Sequence, residues 1–90
     1  MFDISRNAYN FLKKLQQPKQ FKQIVSKIFS LEKDPMPPDS KHLSGYPGYL
    51  RVDSGEYRII YTNTDSVICV AVVGKRNDDE VYKEMRRTNA

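Results

Sequence analysis

The stretch that decides the fold runs from Tyr57 to Lys75 and reads YRIIYTNTDSVICVAVVGK. Its first part, Tyr57 to Thr62, is rich in β-branched and aromatic residues, which favour a strand. Asn63 to Ser66 is a cluster of turn residues. The continuous apolar run from Val67 to Val73, which Gly74 ends, predicts a strand buried on both faces and therefore central in its sheet.

A further strand is predicted immediately upstream. Tyr49 to Val52 has strand character, and Asp53-Ser54-Gly55 is a turn cluster that separates it from Tyr57. Strands joined by such short turns pair in antiparallel fashion. Together with the stretch above, this segment predicts a three-strand antiparallel meander.

The N-terminal third predicts a brief strand, Met1 to Ile4, followed by two antiparallel helices. Ser5 offers an N-cap hydroxyl for the first helix, and Pro18 suits the first turn of the second. Apolar residues recur at helical spacing in both segments, which predicts that they face the core. These residues are Ala8, Phe11, Leu12 and Leu15 in the first helix, and Phe21, Ile24, Val25, Ile28 and Leu31 in the second.

Residues 33–48 hold four of the five prolines, which predicts an extended connector. After the meander, Asp78, Asp79 and Glu80 suit the start of a short last helix, and Arg86 and Arg87 suit its end. The 90 residues are enough for one domain, residues 1–90. The predicted class is α+β, with the helices against one face of the sheet.

The charge is basic and unevenly placed. The formal net charge is +4, and residues 5–31 carry no acid. An excess of positive charge favours polyanions such as nucleic acid, acidic membrane surfaces or acidic proteins. The lysines of the two helices fit either an ordinary solvated face or a surface that meets a polyanion.

Several kinds of site are excluded by residue counts. Cys69 and His42 are the only cysteine and histidine, so the sequence offers neither a disulfide nor a zinc site, and no metal or other cofactor is expected. The glycines are isolated and form no phosphate loop. No apolar stretch approaches the ~18 residues of a membrane span, and the N-terminus lacks the apolar region of a signal peptide. A cytoplasmic protein without a membrane partner is therefore expected.

The remaining candidates for chemistry are cationic and phenolic. Arg58 lies in a largely buried strand, so it must face a partner or pair with an acid, either Glu56 or an acid of the last helix. Arg51 alternates with Leu50 and Val52, which places it on the opposite face of its strand. Lys75 and Arg76 follow the central strand, where side chains can leave the core.

Arginines that converge on one face can clamp a phosphodiester, because a guanidinium matches two phosphate oxygens at once. Tyr82 can orient a hydroxyl, donate a proton or stack on a base. RNA carries its own nucleophile, the 2′-OH. These residues therefore favour RNA as the partner, either bound or cleaved.

The chain resembles the RelE/ParE superfamily of bacterial toxins. The resemblance rests on Leu43-x-Gly45, on Gly55-x-Tyr57-Arg58-Ile59-Ile60-Tyr61, on the apolar strand, and on Gly74-Lys75-Arg76 followed by Val81-Tyr82. It implies a compact sheet with two N-terminal helices and a partner antitoxin that covers the basic face. For the RelE-like branch it implies metal-independent cleavage of mRNA in the ribosomal A site.

The resemblance implies catalytic roles for Arg51, Arg58, Arg76 and Tyr82. Lys41, Tyr49 and Lys75 are the predicted RNA-binding residues. One departure concerns the RelE-like strand that carries a lysine base, where the nearest residues here are Tyr49 and Arg51. Arginine is a poor base because it stays protonated, so Lys41, His42 and Lys75 are the alternatives for that role.

Two other functions remain open at this point. A ParE-like toxin would inhibit DNA gyrase as a binding protein, although that branch generally lacks the arginine and tyrosine found here at positions 76 and 82. An inactive member would use its arginines only to hold an acidic antitoxin.

Overall fold

The computed structural model describes residues 2–76 and 79–88 and contains three helices and five strands in those ranges. In chain order the elements are β1 (Phe2–Ile4), α1 (Arg6–Lys14), α2 (Pro18–Lys33), β2 (Lys41–His42), β3 (Tyr49–Ser54), β4 (Tyr57–Thr64), β5 (Val67–Lys75) and α3 (Glu80–Thr88). The predicted α+β class, with its helix pair, meander and last helix, is confirmed. Met1 and Asp78, which the sequence assigned to the first strand and the last helix, lie outside the described residues.

The strands form one sheet in the order β1-β5-β4-β3-β2. The meander β3-β4-β5 is antiparallel, and two-residue turns at Gly55-Glu56 and Asp65-Ser66 join its strands. At the start of the chain, β1 pairs in parallel with β5, and Phe2 stands opposite Ile68. From Ile68 to Val70, β5 therefore has a strand on each side, so it is an interior strand there, as its composition predicted, although β4 is the middle strand of the sheet.

Helices α1 and α2 cover one face of the sheet, called here the helix-pair face. Ser5 caps α1 by accepting a hydrogen bond from the N–H of Ala8, and its own hydroxyl and N–H donate to the carbonyls of Ala71 and Val70. Pro18 is in the first turn of α2, as predicted. The core on this face consists of Ala8, Leu12, Ile24, Ile28, Leu31, Leu50, Val52, Tyr57, Ile59, Tyr61, Ile68, Val70 and Val73.

Helix α3 covers the opposite face, called here the α3 face. A smaller cluster packs there, formed by Leu43, Ile60, Val72, Val81 and Met85. The prediction that the helices lie against one face of the sheet is therefore wrong. Ile59 and Ile60 are adjacent in β4, so their side chains point to opposite faces of the sheet. Since both are fully buried, helices must pack against both faces.

Three smaller expectations also need correction. The connector contains a two-residue strand, β2, which pairs with β3. Gly74 does not end β5, which continues to Lys75. The ring of Phe21, predicted to face the core, is 40% exposed on α2. In all three cases the difference comes from tertiary packing, which local residue patterns do not report.

Helix α3 begins at Glu80, the last of the three acidic residues that predicted its first turn, and Asp79 precedes the helix. Glu80 is in its first turn, and Arg86 and Arg87 are in its last, which suits the helix dipole at both ends. The carbonyl of Asp79 accepts hydrogen bonds from the N–H groups of Tyr82 and Lys83. In the described part of the chain, no helix is both long enough and apolar enough to cross a membrane.

Candidate functional site

Strand β3 presents alternate side chains to the α3 face. Leu50 and Val52 are buried in the core beneath the helix pair, so the residues between them point the other way. Tyr49 packs against the α3 cluster. Arg51 and Asp53 follow Tyr49 at intervals of two on the same face. The strand therefore offers an aromatic ring, a cation and an anion in a row.

Asp53 holds two arginines together. Its Oδ1 accepts a hydrogen bond from Nε of Arg58 at 2.9 Å, and its Oδ2 lies 3.7 Å from Nη1 of Arg76. Nη1 of Arg58 in turn donates to the hydroxyl oxygen of Tyr82 at 3.3 Å. Three of the four predicted catalytic residues, Arg58, Arg76 and Tyr82, thus form one network with Asp53.

Arg58 is more enclosed than Arg76, with 14% of its side chain exposed against 44%. The hydrogen bond that Arg58 donates to Asp53 is the largest cause of a raised pKa for Arg58, and burial opposes it. The partner of Arg58 is thus neither Glu56 nor an acid of the last helix, as the sequence suggested, but the residue opposite it on β3. A guanidinium has five N–H donors, and the two bonds above leave others free for an oxyanion.

Arg51, the fourth predicted catalytic residue, stands beside this network on the same face. It is directly opposite Lys41 of β2 on one side and Ile60 of β4 on the other. Like charges directly opposite each other on neighbouring strands are destabilising. The pair formed by Lys41 and Arg51 therefore suits an anion that would lie across both strands.

The absence of a side chain at Gly74 lets α3 pack closely against the sheet near Arg58. It is opposite Arg58 in the sheet. A Cβ at this position would lie 3.1 Å from Cγ1 of Val81, which is closer than a normal contact. Since Val81 precedes Tyr82, the missing side chain at Gly74 brings the tyrosine hydroxyl within reach of Arg58.

Two of the predicted residues are not brought to this network. Lys75 pairs with Tyr57, and His42 pairs with Leu50. Tyr57 and Leu50 both belong to the core of the helix-pair face, and residues paired across a sheet share a face. Of the three alternative bases, only Lys41 is on the same face as the arginines.

Asp53 was not among the predicted site residues, because the sequence pattern assigned it to a turn. The signal that could have found it is the length of the turn. A two-residue hairpin loop at Gly55-Glu56 places Ser54 opposite Tyr57, and therefore Asp53 opposite Arg58. No group of three or more histidine, cysteine or acidic residues that could hold a metal ion occurs within residues 2–76 and 79–88.

Residues 2–80 match a family described as the ParE toxin of type II toxin–antitoxin system, parDE. The chain belongs to the ParE toxin family. This confirms the resemblance to the RelE/ParE superfamily, on which the arginine and tyrosine assignments depend. Among curated proteins, no sequence match was found.

Solved structures of RelE toxins share the fold of this ParE-family chain. The isolated E. coli RelE toxin aligns with 26% identity and a TM-score of 0.71, covering all of this chain and 98% of RelE. A double arginine-to-alanine mutant of E. coli RelE in the free state aligns with 25% identity and a TM-score of 0.78, covering 100% and 97%. The RelE–RelB complex of Pyrococcus horikoshii aligns with 24% identity and a TM-score of 0.73, covering 86% and 94%.

Proposed function

We propose that this toxin is a ribosome-dependent, metal-independent endoribonuclease that cleaves mRNA in the ribosomal A site. The observation that carries the proposal is the convergence of Arg58, Arg76 and the hydroxyl of Tyr82 on one face of the sheet. Arg51 and Lys41 extend the positive charge along the same face. A ribosome would supply the mRNA in a fixed, single-stranded conformation.

The cleavage step uses the 2′-OH of the RNA as the nucleophile. Its oxygen attacks the adjacent phosphorus, and the bond from phosphorus to the 5′-oxygen of the next nucleotide breaks. The pentacovalent transition state carries extra negative charge, which guanidinium groups stabilise when they are held in position beforehand. Arg58 is held by Asp53 and Tyr82, so it is fixed in place before the substrate arrives.

Tyr82 is placed to act on the leaving group. Its hydroxyl oxygen accepts a hydrogen bond from Arg58, which leaves the phenolic proton available to the departing 5′-oxygen. Arg76 lies on the other side of Asp53 and has an exposed guanidinium that can follow the phosphate. The products would be a 2′,3′-cyclic phosphate and a 5′-hydroxyl end.

We further propose an antitoxin as the protein partner. Structurally similar toxins were solved as complexes with their antitoxins, including RelBE of E. coli and YoeB–YefM of Staphylococcus aureus. The cations of the α3 face, Lys41, Arg51 and Arg76, would attract acidic side chains as well as phosphates. An antitoxin that covers this face would compete with RNA for the same groups.

The proposed activity is tested by adding the purified protein to an in vitro translation reaction and mapping the ends of the mRNA. Arg76→Ala and Tyr82→Phe should each lower the cleavage rate by about 10²-fold or more, since each removes a group that acts in the transition state. Matched controls are Arg6→Ala and Tyr9→Phe on α1, where both side chains are exposed. Undiminished cutting by both site variants would refute the assignment.

Inhibition of DNA gyrase is the second candidate function, because residues 2–80 match the ParE toxins. A gyrase inhibitor would act by binding, and its target surface need not contain a transition-state clamp. A supercoiling assay with purified gyrase separates the two functions. Inhibition of supercoiling by a protein that leaves translated mRNA intact would replace the ribonuclease proposal with this one.

A further inference from the structure

The proposed cleavage needs a group that takes the proton from the 2′-OH. Arg51 is protonated at any physiological pH and cannot accept it. His42 and Lys75 pair with residues of the helix-pair core and are therefore on the wrong face. Lys41 is on the right face, but an ammonium group must first lose its own proton before it can act as a base.

A carboxylate lies at the centre of the arginine network. Asp53 touches both Arg58 and Arg76, and 38% of its side chain is exposed, so a substrate can reach it. We propose that Asp53 is the general base, which accepts the proton of the attacking 2′-OH. This assignment rests on the proposed ribonuclease function and names a catalytic residue that neither the family match nor the motifs supplied.

The position of Asp53 fits this role for a geometric reason. Because Asp53 bridges Arg58 and Arg76, a phosphate bound to the two guanidiniums is necessarily next to the carboxylate. The 2′-OH belongs to the nucleotide on the 3′-oxygen of that same phosphate. A base for this hydroxyl must therefore lie beside the phosphate clamp, and the carboxylate of Asp53 meets that condition.

Charged and polar groups from every neighbouring element surround this carboxylate. Arg58 of β4 and Arg76, which follows β5, contact it directly. Arg51 lies on the same strand and Lys41 stands opposite Arg51 on β2. The hydroxyl of Tyr82 on α3 contacts Arg58 on the far side of the guanidinium.

The step balances without an added reagent. The O–H bond of the 2′-OH breaks, and the proton passes to a carboxylate oxygen of Asp53. The 2′-oxygen forms a bond to phosphorus, and the bond to the 5′-oxygen breaks with its electron pair. The proton of the Tyr82 hydroxyl goes to the 5′-oxygen, and the tyrosinate is then reprotonated from the carboxyl group of Asp53 through solvent.

The test compares Asp53→Asn and Asp53→Glu with wild type in single-turnover cleavage of mRNA on programmed ribosomes. Asparagine keeps an oxygen that can accept the hydrogen bond from Nε of Arg58 but cannot take a proton. We expect Asp53→Asn to lower the rate by about 10²-fold to 10⁴-fold, and Asp53→Glu to recover part of it. Asp65→Asn is the matched control, because Asp65 is an exposed aspartate of the turn between β4 and β5.

Two further readouts separate a base from a residue that only positions the arginines. Binding of ribosomes programmed with an mRNA that carries a 2′-O-methyl group at the cleaved nucleotide should be as tight for Asp53→Asn as for wild type. The wild-type cleavage rate should fall as the pH is lowered, because the base becomes protonated, and the rate of Asp53→Asn should not.

Three results would overturn the assignment. Cleavage by Asp53→Asn at or above the wild-type rate would mean that the carboxylate only occupies the phosphate position. A loss of rate that matches an equal loss of binding would make Asp53 a positioning residue. A wild-type protein that cuts no mRNA on ribosomes would refute the proposed function itself, and the role of Asp53 with it.

Discussion

The two faces of the sheet differ in how they are covered and in what they leave accessible. Within residues 2–76 and 79–88, two helices cover the helix-pair face, and thirteen buried residues form its core. In the same part of the chain, one helix covers the α3 face, and its buried cluster has five residues. The part of the α3 face outside this apolar cluster carries charged side chains, among them Arg51, Asp53 and Arg58.

The helix-pair face therefore contributes more of the stability, and the α3 face carries the candidate site. Apolar area removed from water stabilises the fold by roughly 25 cal/mol per Å², so the larger cluster contributes more. The smaller cluster mainly fixes where α3 lies, and through it where Tyr82 lies.

The sharpest test of this separation uses two neighbouring residues of β4, Ile59 and Ile60. Both are fully buried, Ile59 on the helix-pair face and Ile60 on the α3 face. Truncation of a buried isoleucine to alanine costs about 2–5 kcal/mol. We expect Ile59→Ala near the upper end of that range and Ile60→Ala near the lower end, measured by urea unfolding.

The order of the two variants should be reversed for activity, with the larger loss of mRNA cleavage in Ile60→Ala. At a temperature where both are folded, Ile59→Ala should cut mRNA at close to the wild-type rate. Ile60→Ala should cut more slowly, because α3 and Tyr82 shift with the cavity beneath them. Equal losses of activity in the two variants would show that the faces are not independent.

Arg58→Lys should affect activity while leaving stability nearly unchanged. Lysine keeps the charge next to Asp53 but lacks the planar set of donors that also reaches Tyr82. We expect the cleavage rate to fall by about 10²-fold or more, as for the loss of one oxyanion donor. Arg6→Lys on α1 is the matched control, and a fall of similar size in that variant would contradict the assignment.

Gly74→Ala should disturb the α3 face by a smaller amount. The added methyl group would meet Val81 at 3.1 Å, so α3 must move by a few tenths of an ångström. We expect a cost of about 1–3 kcal/mol for overpacking and a fall in cleavage of about tenfold as Tyr82 moves away from Arg58.

The smallest effect concerns Tyr61, one of the two tyrosines in the helix-pair core. Burial raises the pKa of Tyr61, and its hydroxyl donates to the carbonyl of Pro35 at 2.7 Å. Because the folded state holds this proton more firmly than the unfolded state, stability falls as the pH rises above about 10. Tyr61→Phe should cost about 1 kcal/mol at neutral pH and should flatten the alkaline decline in urea unfolding. A decline as steep as that of wild type would mean that another group causes it.

The sequence predicted the elements well where a local pattern determines them. The helix pair followed from apolar spacing together with Ser5 and Pro18, and the meander followed from strand composition and turns. The side of the sheet that α3 covers was not predicted, because Val81 and Met85 form an apolar stripe that fits either face. Ile59 and Ile60 are adjacent apolar residues of one strand, so their side chains point to opposite faces of the sheet. This pair already indicated that both faces are covered by other elements.

The candidate site was predicted in residue type but not in its arrangement. Arg58, Arg76 and Tyr82 come from separate segments, and the family resemblance selected them without placing them together. Asp53 was missed because an aspartate before Ser54-Gly55 is also a typical turn residue. Only the register of the hairpin, which depends on pairing rather than composition, puts its carboxylate opposite Arg58.

The anchoring of Ser5 has a consequence for the order in which the protein assembles. Its hydroxyl bonds to a carbonyl 66 residues away, whereas the hairpins of the meander close through two-residue turns. A contact that closes a long loop forms late in folding, because the chain must lose conformational entropy before the contact contributes its favourable energy. We therefore expect the strands that carry Arg51, Asp53 and Arg58 to pair early. The segment that secures the helix pair would join the sheet last.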